Sequence, residues 1–362
     1  MTHLLEDRLL RRKECGNLRQ LEIRRNLIDF ASNDYLGLAR SPKLLQRWES
    51  QLSMGSTGSR LITGNSSYVQ DLEQRIAAFH GYDAGLVFNC GYMANVGLLS
   101  TIGDCKSTLF FDAHVHASTY DGIRLGRCQA YPFRHNDLEH LEQRLKDSSS
   151  QGDRFICIES IYSTDGSKSP LAEICQLARE YDAHVIVDEA HAVGACGPGG
   201  RGLVSEQNLT SQCFAQVTTF GKALGAHGAI VLGGETLKQA LINFATPYIY
   251  TTALPFYSLA AIQSSYDIFP TLEQERRHLH KLIQIFREAY PHSSETHIQT
   301  IAIQGNEAAR RAAQKLAQAG FDVRPLMSPT VQRGKEVLRI CLHAFNTEND
   351  VKRLLEYIEV IG

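Results

Sequence analysis

Short apolar runs separated by stretches with helical periodicity constrain this chain more than any other feature. The runs are Ala84 to Phe88, Thr108 to Phe111, Phe155 to Glu159, His184 to Asp188, Ala215 to Thr219 and Ala229 to Leu232. Between them, Leu72, Ile76 and Phe79 recur at helical spacing. So do Leu138, Leu141 and Leu145, and then Leu171, Ile174, Cys175 and Ala178. A strand covered on both faces carries no polar alternation, and a helix that covers it shows one apolar stripe. The succession predicts an α/β fold with a mostly parallel central sheet and helices on both faces.

After about residue 265 the texture changes. Helical patterns run from Leu272 to Ala289 and from Glu307 to Ala319, strands are expected around Ile301 and from Leu338 to Leu342, and Val351, Leu354, Leu355 and Ile358 share one face of a last helix. We therefore expect an N-terminal segment over 1–45, a large domain over 46–265 and a smaller α+β domain over 266–362. Ser148 to Gly152 reads as a surface loop and not a domain linker.

Composition narrows the function classes. Lys plus Arg number 37 against 39 for Asp plus Glu, so no basic surplus marks a nucleic-acid binder. No run approaches the roughly 18 apolar residues of a membrane-spanning helix. The nine cysteines are odd in number, scattered, and without Cys-x-x-Cys, which argues against a disulfide framework or a zinc ribbon. Reduced core thiols and a cytoplasmic setting are expected. The mixed-charge N-terminus, with Glu6, Asp7, Arg8, Arg11, Arg12 and Lys13 among leucines, is no secretory signal.

In an open α/β sheet chemistry collects at the carboxyl ends of the strands. Three apolar runs end in polar groups there: Asp188-Glu189-Ala190-His191, Glu159-Ser160-Ile161-Tyr162-Ser163 and Thr219-Phe220-Gly221-Lys222. Asp-Glu-Ala-His also occurs in helicase-type ATPases, but that use needs a phosphate loop upstream. Gly221-Lys222 is followed by Ala223, and Gln216 stands where that loop's first glycine belongs. Gly197 to Gly202 matches Gly-x-Gly-x-x-Gly but follows a polar loop, and reads as a glycine-rich surface turn. Asp112, His114 and His116 alternate after a strand without a third-ligand spacing, so no metal site is assigned. Lys222, between glycines in an apolar stretch, is placed to lose solvent and gain the free amine that attacks carbonyls. With Asp188 upstream, it suggests a pyridoxal 5′-phosphate site, where an acid keeps the pyridine nitrogen protonated.

At this point the chain resembles the α-oxoamine synthase family of fold-type I pyridoxal-phosphate enzymes, from about Leu18 to the last helix. The segments that carry the resemblance are Phe30 to Leu38, Gly55 to Leu61, Asn89 to Asn95, Asp112 to Ser118, Glu159 to Gly166, Asp188 to His191, Thr219 to Lys222, Tyr248 to Pro255 and Leu338 to Ile340, in order. The resemblance implies that Lys222 holds the cofactor aldehyde and moves the α-proton. It implies that Asp188 pairs with the pyridine nitrogen, that His191 bonds the ring oxygen, and that His116 stacks on the ring and can act as an acid. Gly91, Tyr92, Ser163 and Thr219 match cofactor-binding positions. Thr252, with Thr251, matches a phosphate ligand donated by a second subunit, which implies a homodimer with shared active sites. Arg339 and Asn33 match the grip on the amino-acid carboxylate, and Arg19 and Thr330 match further substrate contacts.

Within the family, Gly55 to Asn65 and Gly221 to Ala229 look most like the branch that condenses L-alanine with a pimeloyl thioester, on coenzyme A or an acyl-carrier protein, releasing CO2 in biotin biosynthesis. A glycine-using ligase, a serine-using acyltransferase, a helicase-like ATPase and a non-catalytic subunit of the same fold are the competing readings. Retention of Lys222 speaks against the last. Thr164, Cys90 and Phe256 depart from the usual family residues without removing a catalytic group.

Overall fold

The structure is a computed structural model that describes residues 2–19, 26–45, 55–148 and 152–361. Residues 149–151 of the expected surface loop, and residues 46–54 beyond the expected first boundary, lie outside the described residues. In chain order the strands are β1 (Ile28–Asp29), β2 (Ala84–Phe88), β3 (Thr108–Asp112), β4 (Gln129–Phe133), β5 (Arg154–Glu159), β6 (Ala183–Asp188), β7 (Cys213–Thr219), β8 (Ala229–Gly233), β9 (Ile298–Ala302), β10 (Phe321–Asp322), β11 (Arg324–Leu326) and β12 (Val337–Cys341). Internal contacts divide the chain into two units. One is Met1–Tyr35, Ser163–Ser167 and Arg277–Gly362; the other is Leu36–Tyr162 and Lys168–Arg276.

The larger unit is built on a seven-stranded sheet of order β2-β8-β7-β6-β5-β3-β4. Strands β7, β6, β5, β3 and β4 run parallel, and β8 is antiparallel to both its neighbours. The expected mostly parallel sheet is therefore present, and each of the six apolar runs is one of its strands. The missed strand is β4. It is an edge strand with Pro132 in it and only Phe133 buried, and an edge position tolerates both proline and polar residues. Alternate residues of the strands, including Leu86, Phe88, Phe155, Cys157, Ile186, Val217 and Val231, share one core with Ala94, Leu98 and Leu99 of the helix Gly91–Ile102 and Leu237 and Leu241 of the helix Glu235–Phe244.

The expected helices form. Ser67–His80 starts where Ser66 accepts a hydrogen bond from the Val69 N–H and ends at Gly81 in the left-handed region. Leu138–Asp147 is capped by Asp137, and Leu171–Glu180 buries Leu171, Ile174, Cys175 and Ala178. Among the described residues no disulfide joins any of the nine cysteines; Cys157, Cys175, Cys213 and Cys341 are buried, while Cys15 and Cys105 are exposed.

In the smaller unit, β11, β12 and β9 form an antiparallel sheet and β1 pairs in parallel with β10. The helices Glu273–Ala289, Asn306–Gln318 and Glu348–Ile361 match the periodic segments read from the sequence. Among the described residues no helix is long and apolar enough to cross a membrane.

Candidate active site

Register in the larger unit sets the first part of the site. Glu159 is level with Asp188, Asp188 with Val217, and both Thr219 and Phe88 with Ala229. Strand β2 runs in the same direction as β7, because β8 opposes both. The carboxyl ends of β2, β5, β6 and β7 therefore share one edge, and the polar groups that follow them gather there.

Asp188, the last residue of β6, is buried and faces the same side of the sheet as Ile186. Its Oδ1 accepts the Ala190 N–H at 2.9 Å, and its Oδ2 accepts Asn95 Nδ2 at 2.8 Å. Two residues on, the chain turns so that the buried His191 comes within reach of the lysine loop. His191 Nε2 and Lys222 Nζ lie 2.8 Å apart. This loop after β7 is a tight fold-back: Phe220 N–H donates to Gly228 O, and Ala226 N–H donates to Phe220 O. Gly225, at φ +65°, lies against the backbone of Leu38 and Ala39, so no side chain fits there.

After β2, Cys90 begins the helix Gly91–Ile102 without a side-chain cap. Its first-turn N–H groups thus face the same edge, where a helix N-terminus favours an anion. Gly91 is there for a steric reason: a Cβ on it would come 2.5 Å from Thr219 Cγ2. Thr219 Oγ1 is buried without a hydrogen-bond partner. An orphaned hydroxyl beside a side-chain-free helix start is what a phosphate needs. Together with the amine of Lys222 and the anchored carboxylate of Asp188, these groups fit pyridoxal phosphate.

His116 stands just before the helix Ala117–Leu125, with its Nδ1 turned to Ser118. Burial is the main influence on its pKa and lowers it, Lys222 lowers it further, and Asp188 works in the opposite sense. Tyr92 is half exposed and its hydroxyl donates to Asp121. Thr252 is exposed, bridges Ser59, and accepts Asn89 Nδ2 on its carbonyl at 2.8 Å. Asp112 is engaged with His135, whose Nδ1 sits 3.0 and 3.1 Å from the two carboxylate oxygens.

The smaller unit holds a second group of expected residues. Arg339, in β12, donates from Nε to the Ser163 carbonyl at 2.6 Å and from Nη2 to Asn33 Oδ1 at 3.2 Å. Asn33 Oδ1 also accepts the Tyr35 hydroxyl at 3.0 Å. Burial works against the guanidinium charge, but Cys341 and Tyr35 raise its pKa above the ordinary value. Arg19 Nη2 donates to Thr330 Oγ1 at 3.4 Å, with both residues exposed. Arg339, Asn33 and Ser163 are thus brought together, and so are Arg19 and Thr330.

The sequence reading did not single out Asn95, Ser118 or Tyr35. Asn95 carried a signal, because it is the one amide in the otherwise apolar run from Met93 to Leu99. The turn Gly197 to Gly202 is also more than a surface feature. Gly200 and Gly202 are buried, and a Cβ on Gly202 would come 2.0 Å from Glu189 Oε2.

Known proteins align with this picture. The sequence profile of the aminotransferase class I and II family matches residues 25–358. The 8-amino-7-oxononanoate synthase of Emericella nidulans is 38% identical, covering 98% of this chain and 94% of its own length. The putative 8-amino-7-oxononanoate synthase of Haemophilus influenzae is 37% identical, over 92% of this chain and 91% of its own. Among solved structures, serine palmitoyltransferase from Sphingomonas wittichii superposes with a TM-score of 0.87 at 28% identity, covering 93% of this chain and 87% of that one. The 8-amino-7-oxononanoate synthase of Francisella tularensis superposes with a TM-score of 0.80 at 29% identity, covering 92% and 97%. The chain belongs to the aminotransferase class I and II family and is a fold-type I, pyridoxal-phosphate-dependent enzyme of the α-oxoamine synthase group.

Proposed function

We propose that this enzyme condenses L-alanine with a pimeloyl thioester, giving 8-amino-7-oxononanoate, CO2 and the free thiol carrier. The observation that carries this is the pairing of Lys222 Nζ with His191 Nε2 at 2.8 Å, at a strand edge that also holds the anchored Asp188. The names of the relatives at 37 and 38% identity support the substrate pair.

When bound, pyridoxal phosphate supplies an electron sink for the pair of electrons left at the amino acid's α-carbon. Lys222 Nζ would hold the cofactor's aldehyde carbon, and the same amine would take the proton from the amino acid's α-carbon. Asp188 is assigned the partner of the cofactor's pyridine nitrogen, where an acid keeps that nitrogen protonated. His191 donates to the cofactor's ring oxygen and positions Lys222. Gly91, Tyr92, Ser163 and Thr219 hold the cofactor, with Thr252 of a second copy in a homodimer. Arg339 takes the amino-acid carboxylate with its planar fork, assisted by Asn33. Arg19 and Thr330 contact the acyl substrate. A cytoplasmic location goes with this reading.

The test is a spectral titration of the purified, cofactor-loaded chain with alanine, glycine and serine, followed by acyl thioesters of several lengths. Alanine should change the cofactor's absorbance and turn over with pimeloyl thioester, and Lys222→Ala should lose both colour and turnover. Turnover with serine and a long-chain thioester would instead favour a serine-using acyltransferase, the reading that the serine palmitoyltransferase superposition supports. A colourless protein indifferent to amino acids would defeat both.

A further inference from the structure

His116 and Asp188 lie on different elements of the larger unit, yet an unbroken chain of hydrogen bonds joins them. Asn95 Nδ2 donates to Asp188 Oδ2 at 2.8 Å and to Ser118 Oγ at 3.0 Å. Ser118 Oγ is 2.8 Å from His116 Nδ1, and the Ser118 backbone N–H donates to the same nitrogen at 3.2 Å. Asn95 and Ser118 are both buried.

The close approach that permits this chain is written in glycine. Gly122 lies one turn after Ser118, and a Cβ there would come 3.0 Å from Leu99 Cβ and 3.1 Å from the Asn95 carbonyl. Without side-chain bulk at Gly122, the helix Ala117–Leu125 settles onto the helix Gly91–Ile102 and brings Ser118 to Asn95.

Donor counting sets the direction of every bond. Asn95 presents its NH2 to Asp188, whose Oδ2 accepts from it. The second Asn95 hydrogen goes to Ser118 Oγ, which leaves the serine hydrogen for His116. A backbone N–H can only donate, so His116 Nδ1 is an acceptor twice over. A neutral imidazole that accepts at Nδ1 carries its hydrogen on Nε2.

Resting on the function proposed above, we propose that Asn95 and Ser118 are positioning residues that tie His116 to Asp188 and hold the His116 proton on Nε2. His116 then meets its ligands at Nε2 as a hydrogen-bond donor and not as a lone-pair base. The charged groups that face it are Asp188, which favours protonation, and Lys222, which opposes it; burial also opposes it. The relay acts in the same sense as burial, because both Nδ1 lone-pair partners are donors.

The test is NMR of ring-15N-labelled histidine in the full-length chain, with and without pyridoxal phosphate, His116 being assigned through His116→Gln. The wild-type protein should show the Nε2–H tautomer of His116 at neutral pH. Ser118→Ala removes one of the two donors and should raise the His116 titration midpoint by about one pH unit, with Asn95→Leu moving it in the same direction. An Nδ1–H or cationic His116 in the wild type, or an unmoved midpoint in Ser118→Ala, overturns the proposal. The wild-type tautomer alone decides the matter should either variant fail to fold. Failure to take up pyridoxal phosphate would count against the proposed function and leave the His116 tautomer readable.

Discussion

Glu189 offers the sharpest quantitative prediction. It is fully buried beside Asp188, and its Oε1 accepts the N–H groups of Leu203 at 2.9 Å and Val204 at 3.3 Å. Burial pushes its carboxyl up to about 7, the charge of Asp188 adds to the rise, and the two backbone donors pull the other way. The folded chain therefore keeps this proton to higher pH than the unfolded chain. Between the ordinary glutamate value of 4.5 and about 7, the unfolded state binds fewer protons. Stability must fall as pH rises through that window and level off above it. At about 1.4 kcal/mol per unit, the shift corresponds to about 3 kcal/mol. Glu189→Gln keeps the Oε1 acceptor and presents an N–H donor where the protonated acid presents O–H, but cannot ionise. Taken from the proton linkage alone, the variant should exceed the wild type's stability by a little under about 1 kcal/mol at pH 5 and by about 3 kcal/mol at pH 8. Urea unfolding of the cofactor-free chain at several pH values, read as the difference between the two proteins, measures this without interference from other titrating groups. A difference that stays flat from pH 5 to 8 would refute the assignment of a buried, protonatable Glu189.

Further outcomes follow from the same geometry. Gly91→Ala places a Cβ 2.5 Å from Thr219 Cγ2, so it should destabilise the chain by about 1–3 kcal/mol and weaken cofactor retention; adding Thr219→Ser, which removes that methyl, should restore part of both in thermal unfolding. Arg339→Lys replaces a planar fork by a point charge and should raise the KM for the amino acid by about 10–100-fold with a smaller change in kcat, read by steady-state kinetics. Glu73 accepts Arg60 Nη1 at 2.7 Å, Arg60 Nη2 at 3.1 Å and the Val87 N–H at 2.9 Å in a buried setting. Glu73→Ala should therefore cost about 3–5 kcal/mol in urea unfolding, because it strands a buried guanidinium, and Arg60→Met with Glu73→Leu should recover most of it.

The sequence by itself determined the sheet strands that are buried on both faces, since a run such as Val185-Ile186-Val187 has no other stable environment. It also placed Asp188, His191 and Lys222 just beyond such runs, so their chemistry was legible before any coordinates. It missed β4, because an edge strand such as Gln129–Phe133 is half exposed, contains Pro132, and carries no periodic signal. It read Gly197 to Gly202 as a surface turn, because a glycine's burial depends on what lies opposite, here the Glu189 carboxyl. Tertiary structure alone decided which polar groups meet. Asn95 and Asp188 are 93 residues apart and Arg339 and Asn33 are 306 apart, and no local pattern encodes such a pairing. The physical reason is that periodicity reports which face of an element is apolar, whereas a hydrogen bond depends on how two elements pack. At Asn95 and Ser118 that packing rests on one missing side chain, at Gly122.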